Sequence, residues 1–123
     1  MTWLMVLNAV VALGSAFFGA VALLRPQAMP GRPLSTGSNS DKEPDEATTY
    51  FARMYAARAI PFGIGTAAVA ILLPGQAAAW FLIAGIIELF DAIVVMSRSP
   101  RDIAPPLLAV FVHIGSAVWL MTT

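Results

Sequence analysis

Four runs of about twenty mostly apolar residues, at 3–24, 50–73, 77–96 and 103–121, constrain this chain more than any motif in it. A helix needs roughly 17 to 25 such residues to cross the hydrocarbon core of a bilayer. Each run meets that length. Of 123 residues, 59% are hydrophobic and 11% charged, where a soluble domain averages about 25% charged. The sequence therefore predicts an all-α, integral membrane four-helix bundle, with one membrane domain over residues 1–123 and the lipid bilayer as its first partner.

The connections fit that reading. The first run has no basic segment before it, is too long for the apolar part of a signal peptide, and is followed by Arg25-Pro26, so it is read as a retained helix. Pro74-Gly75-Gln76 leaves room only for a turn, which makes the second and third helices an antiparallel hairpin. Residues 97–102 join the third to the fourth, and Pro105 and Pro106 are tolerated where the first turn has no intrahelical partner for its amides. Residues 25–49, rich in Pro, Gly, Ser and acidic side chains, read as a flexible cytoplasmic loop, or alternatively as a lid over one mouth of the bundle. Asp45, Glu46 and Thr48 are placed to cap the second helix.

Charge gives an orientation. Arg25, Arg32, Lys42, Arg98 and Arg101 all fall in the two connections on one side, and the other side carries no Lys or Arg. The positive-inside rule then puts both termini on the non-cytoplasmic side. Trp3, Trp80 and Trp119 fall at that same non-cytoplasmic interface, a level indole favours, and Tyr50 marks the opposite one. A net charge of zero and the lack of zinc-finger or P-loop spacing argue against nucleic acid. Without cysteine there is no disulfide and no thiolate chemistry.

Against this apolar background, Glu88 and Asp91 stand in the middle of the third helix. A charge at such depth costs about 2.5 to 3.5 kcal/mol on insertion scales, which makes it a functional-site hypothesis. At about 1.5 Å per residue, Arg58, Glu88 and His113 come to one level on three helices. Arg53 and Asp91 lie nearer the cytoplasmic surface, with Tyr55 between the two layers. Arg58 is expected to face Glu88, and Arg53 to face Asp91. Small residues near these groups, among them Ala57, Gly63, Gly65, Ala84, Gly85, Ala92, Gly115 and Ser116, mark expected helix contacts. Ser15 and Gly19 form a further small-residue face, and a unit this small is a candidate homo-oligomer. Pro61 is expected to bend the second helix or to widen a cavity beside Arg58. Asn8, near the opposite interface, reads as a packing hydrogen bond.

The segment Tyr50-Phe51-Ala52-Arg53-Met54-Tyr55-Ala56-Ala57-Arg58, the later Glu88-Leu89-Phe90-Asp91-Ala92 and the final His113-Ile114-Gly115 together resemble the small DoxX-like four-helix membrane proteins. Asp91 matches that pattern best. Ala59 stands where similar proteins often carry Asp after the helix-two Arg, and Ile114 separates His113 from Gly115. The resemblance implies a fold and no activity.

Two functions fit the polar cluster. In one, it lines a pocket for a lipophilic small molecule and performs acid/base isomerisation or cyclisation without a cofactor: Asp91 or Glu88 is the base, His113 the acid or relay, and Arg58, Tyr55 and Arg53 bind substrate, the first two as oxyanion donors. Two carboxylates in unequal surroundings can divide acid and base roles between them. In the other, the protein is a structural or accessory membrane subunit, and the cluster only fixes helix packing. A proton-coupled carrier would use the same carboxylates, but there is no internal repeat for alternating access. A metal site is disfavoured by the scarcity of imidazole ligands and by Arg58 beside the carboxylates. The expected location is a bacterial cytoplasmic membrane.

Overall fold

Each apolar run becomes one helix: α1 (Thr2–Leu24), α2 (Glu46–Leu72), α3 (Ala77–Arg98) and α4 (Ala104–Thr122). The computed structural model describes residues 2–28 and 45–123. What the sequence leads one to expect of Arg32, Asp41, Lys42, Glu43 and the rest of 29–44 lies outside the described residues. All four helices are long and apolar enough to cross a bilayer, which fits a multi-pass membrane protein. The described residues contain no strand, so the fold is all-α.

Local chemistry sets the helix ends. Asp45 caps α2 by accepting a 2.6 Å hydrogen bond from the Thr48 amide, and Glu46 adds negative charge to the first turn. The helix therefore starts four residues before Tyr50. Short three-ten turns at Pro74–Gln76 and Pro100–Asp102 make the tight connections, each opened by a proline that cannot extend the preceding helix.

The interior is built mostly from small side chains around a few large ones such as Phe81 and Met5, and most large apolar side chains lie on the perimeter. Ala9, Ala12, Ala52, Ala56, Ala84 and Ala92 are buried, whereas Phe17, Phe90 and Phe111 are exposed. Lipid solvates large apolar groups as well as a protein core does, so close backbone approach, rather than the hydrophobic effect, holds such helices together. The helices associate as two close pairs, α1 along α2 and α3 along α4, with lighter contact between the pairs. Gly63 lies against the Ala12 and Ala16 backbone of α1, and Gly85 against Ile114 of α4, so a Cβ at either glycine would overlap its neighbour. Gly19 abuts Ala59 and Ile60, which places the contact of the Ser15/Gly19 face inside the chain. Gly65 and Gly115 meet open space.

α2 runs unbroken through Pro61, whose ring is exposed on the outer surface. Gly63 and Ala59, two residues to either side, take the buried face, so the proline sits roughly opposite it.

Candidate functional site

Where the two helix pairs meet, polar side chains take over from alanine and glycine. Arg58 of α2 reaches across to Asp91 of α3, its Nη2 donating to Oδ1 at 2.7 Å and Oδ2 at 2.6 Å. Ser15 of α1 donates from Oγ to Glu88 Oε1 of α3 at 2.7 Å. Trp80 of α3 donates its indole N–H to Thr66 Oγ1 of α2 at 2.9 Å. Asn8 of α1 donates from Nδ2 to Ser116 Oγ of α4 at 2.7 Å and to the Leu4 carbonyl at 2.8 Å. That leaves Asn8 Oδ1 as an acceptor, so His113 of α4 donates to it from Nδ1, at 2.7 Å.

These pairings differ from those expected by depth alone. Arg58 takes Asp91 and not Glu88 because side chains lean toward the N-terminus of their own helix. For α2 that direction is toward the end of the bundle holding the α2 cap and the α3–α4 turn, the loop end, where Asp91 lies. Glu88, on a helix running the other way, leans from the loop end toward the chain termini and meets Ser15 on the parallel α1. Arg53 does not meet Asp91. It is exposed, and five residues from Arg58 is about 140° around the helix at 3.6 residues per turn. Tyr55, three residues before Arg58, does share its face, with the guanidinium carbon 5.9 Å from the ring centroid.

A cavity of about 980 Å³ opens between the pairs at the loop end. Tyr55, Arg58, Glu88, Asp91 and Ser15 line its inner part, and Val10, Phe18, Val94 and Leu108 contribute apolar wall. Arg98, Arg101, Asp102, Asp45 and Thr48 surround the mouth. Ala109 is the innermost α4 residue on the wall. His113 lies one turn beyond it, outside the cavity, with its ring centroid 6.0 Å from that of Phe81. The histidine expected beside the carboxylates therefore belongs to a separate layer with Asn8 and Ser116. Among the described residues no three His, Asp or Glu side chains are grouped to hold a metal ion.

Ser15 as the partner of Glu88, and Asn8 as the partner of His113, are the pairings that residue depth does not reveal. A signal for both exists. They are seven residues apart on an otherwise apolar helix, hence on one face of α1. Chemically, the inner cavity combines one carboxylate bound by a neutral hydroxyl, one ion pair, and an apolar wall.

No curated protein and no solved structure matches the chain. The family model that matches carries no DoxX-like name. A family model described as a domain of unknown function covers residues 1–123, and the chain belongs to that family, DUF4267.

Proposed function

We propose that the protein binds a lipophilic small molecule in the cavity between its helix pairs and exchanges a proton with it through Glu88. The observation that carries this reading is the cavity, about 980 Å³ in volume, with apolar walls and a few convergent polar groups. That combination is typical of small-molecule sites. Asp91 engages Nη2 of Arg58 and leaves the donors on Nε and Nη1 for a ligand oxygen, beside the Tyr55 hydroxyl. A proton-exchanging carboxylate next to a fixed cationic donor is enough for isomerisation or cyclisation without a cofactor. In this reading Asp91 positions Arg58, while His113 supports the cavity floor and leaves proton transfer to Glu88. The orientation that goes with it puts the mouth, with Arg98 and Arg101, in the cytoplasm of a bacterial cell. Kinship with the DoxX-like proteins, best supported at Asp91, would agree with the fold and add no substrate.

The rival reading is an accessory subunit whose polar residues only hold the helix pairs together, and it is favoured by the complete neutralisation of Arg58 by Asp91. Gly14 separates the two. It lines the cavity, and a Cβ added there meets nothing within 4 Å, so Gly14→Phe brings a ring to the cavity wall with room for its first carbon. Mass spectrometry of solvent extracts should find a lipophile enriched over the lipid and detergent background with the unmutated protein. Gly14→Phe should retain at least about tenfold less at unchanged thermal stability. Equal extracts from both would favour the accessory role.

A further inference from the structure

We infer that the ligand of this cavity is a lipophilic amine, bound as its protonated cation with the charge held by Glu88. The inference rests on the cavity reading above and names its ligand class. It starts from charges on the inner wall. Arg58 is matched by Asp91, both of whose oxygens accept from it. Glu88 is 6% exposed, and the hydrogen bond it accepts at Oε1 comes from a neutral hydroxyl, that of Ser15. The elements facing Glu88 offer it little compensating charge. α1 contributes Val10, Val11, Gly14, Ser15 and Phe18 to the wall, and α4 contributes prolines, Leu108 and Ala109, none of them charged. α2 contributes Tyr55 and Arg58, and α3 adds Asp91, with Arg98 out at the mouth beside Arg101, Asp102 and Asp45. Among the described residues, ionised Glu88 is thus the charge of the inner wall that no ion pair balances.

A carboxylate in such surroundings needs either a proton or a counter-cation. An anionic ligand would be repelled, and a neutral one would leave Glu88 holding its proton. A cation resolves the imbalance. Aromatic rings reinforce the choice, because Phe18, Phe51 and Tyr55 line the same cavity and ring faces attract cations. The Tyr55 ring already has the Arg58 guanidinium over it. Proton and ligand then compete for one carboxylate: the proton on Glu88 leaves to water at the mouth as the cation enters, and the charge of the site is unchanged.

Tetraphenylphosphonium and tetraphenylborate share size and shape and differ in the sign of their charge, so they isolate this term. Their binding is measured by calorimetry on the full chain in nonionic detergent, at about pH 6 and about pH 8, limits that straddle neutrality. The phosphonium should bind at least about tenfold more tightly than the borate, and more tightly at the higher pH. Glu88→Gln should abolish that preference and Glu88→Asp retain it. If Glu88→Gln does not fold, the pH dependence and Glu88→Asp decide. Equal binding of both ions, or tighter binding of the borate, with Gly14→Phe still blocking it, would overturn the cation and leave the cavity reading in place. Binding of neither, together with equal lipophile retention by Gly14→Phe and the unmutated protein, would overturn both.

Discussion

The seam between the helix pairs has two halves that use polar side chains in opposite ways. Toward the termini, Asn8, His113 and Ser116 are 0%, 1% and 4% exposed and neutral in their pairing, and both ends of the Asn8 amide are occupied. Toward the loops, the side chains of Arg58 and Asp91 are 48% and 23% exposed, Glu88 accepts a hydrogen bond from a hydroxyl at one oxygen, and all three face a cavity. One network is buried, with both ends of its central amide engaged; the other is charged and opens on a cavity. Buried polar groups that only hold a fold together are expected to be satisfied within it. Bonding capacity left over, next to open volume, is what a ligand would use.

The largest effect on stability should therefore come from the closed half. Asn8→Leu removes both interhelical bonds and strands the His113 N–H and the Ser116 hydroxyl where water cannot reach them. Interhelical hydrogen bonds in membranes average only about 0.6 kcal/mol, but an orphaned buried group costs about 1 to 3 kcal/mol more. We expect a loss of about 2 to 4 kcal/mol in detergent unfolding. Leu4, Ser116 and His113 lie outside the cavity, so the fraction that remains folded should keep the ligand proposed for it.

Asp91→Asn should rank second. The amide oxygen can still accept from Arg58, and a guanidinium that is half exposed regains water when its counter-charge is removed. The 3 to 5 kcal/mol or so typical of breaking a fully buried pair does not apply here; about 1 to 2 kcal/mol is the appropriate scale, between an exposed pair and a buried one. The same unfolding assay checks it. A cost above that of Asn8→Leu would reverse the comparison and make the open half the structural one.

How much of this was legible in the residues depends on which coordinate is asked for. Position along a helix was readable, because apolar length fixes where each span lies, and Glu88, Asp91, Arg58 and Tyr55 do line one cavity. Rotation about the helix was not. In a soluble helix the polar face announces the outside, whereas here Phe90 faces lipid and Ala92 faces protein, and both are apolar. Depth alone consequently paired Arg58 with Glu88 and placed His113 beside the carboxylates. Side-chain lean and the shared face of Asn8 and Ser15 carry the missing angular information.

The smallest stability effect should be at Glu88, and it is the most discriminating. Glu88→Gln preserves shape and leaves Oε1 to accept from Ser15, and among the described residues no cation loses a partner, since Arg58 is held by Asp91. Were Arg58 its partner, stranding that half-exposed charge would cost about 1 to 2 kcal/mol, as for Asp91→Asn. With a hydroxyl as partner, the change should stay within about 1 kcal/mol of zero, the worth of one ordinary hydrogen bond, and fall on the stabilising side, because it removes an ionisable group from membrane depth. Thermal unfolding in one detergent at one pH measures it. A loss as large as that of Asn8→Leu would place Glu88 in the scaffold and erase the difference between the halves. A stabilising result would mean that the carboxylate is retained at some cost to the fold, as residues at working sites often are, and a neutral one that the scaffold does not depend on it.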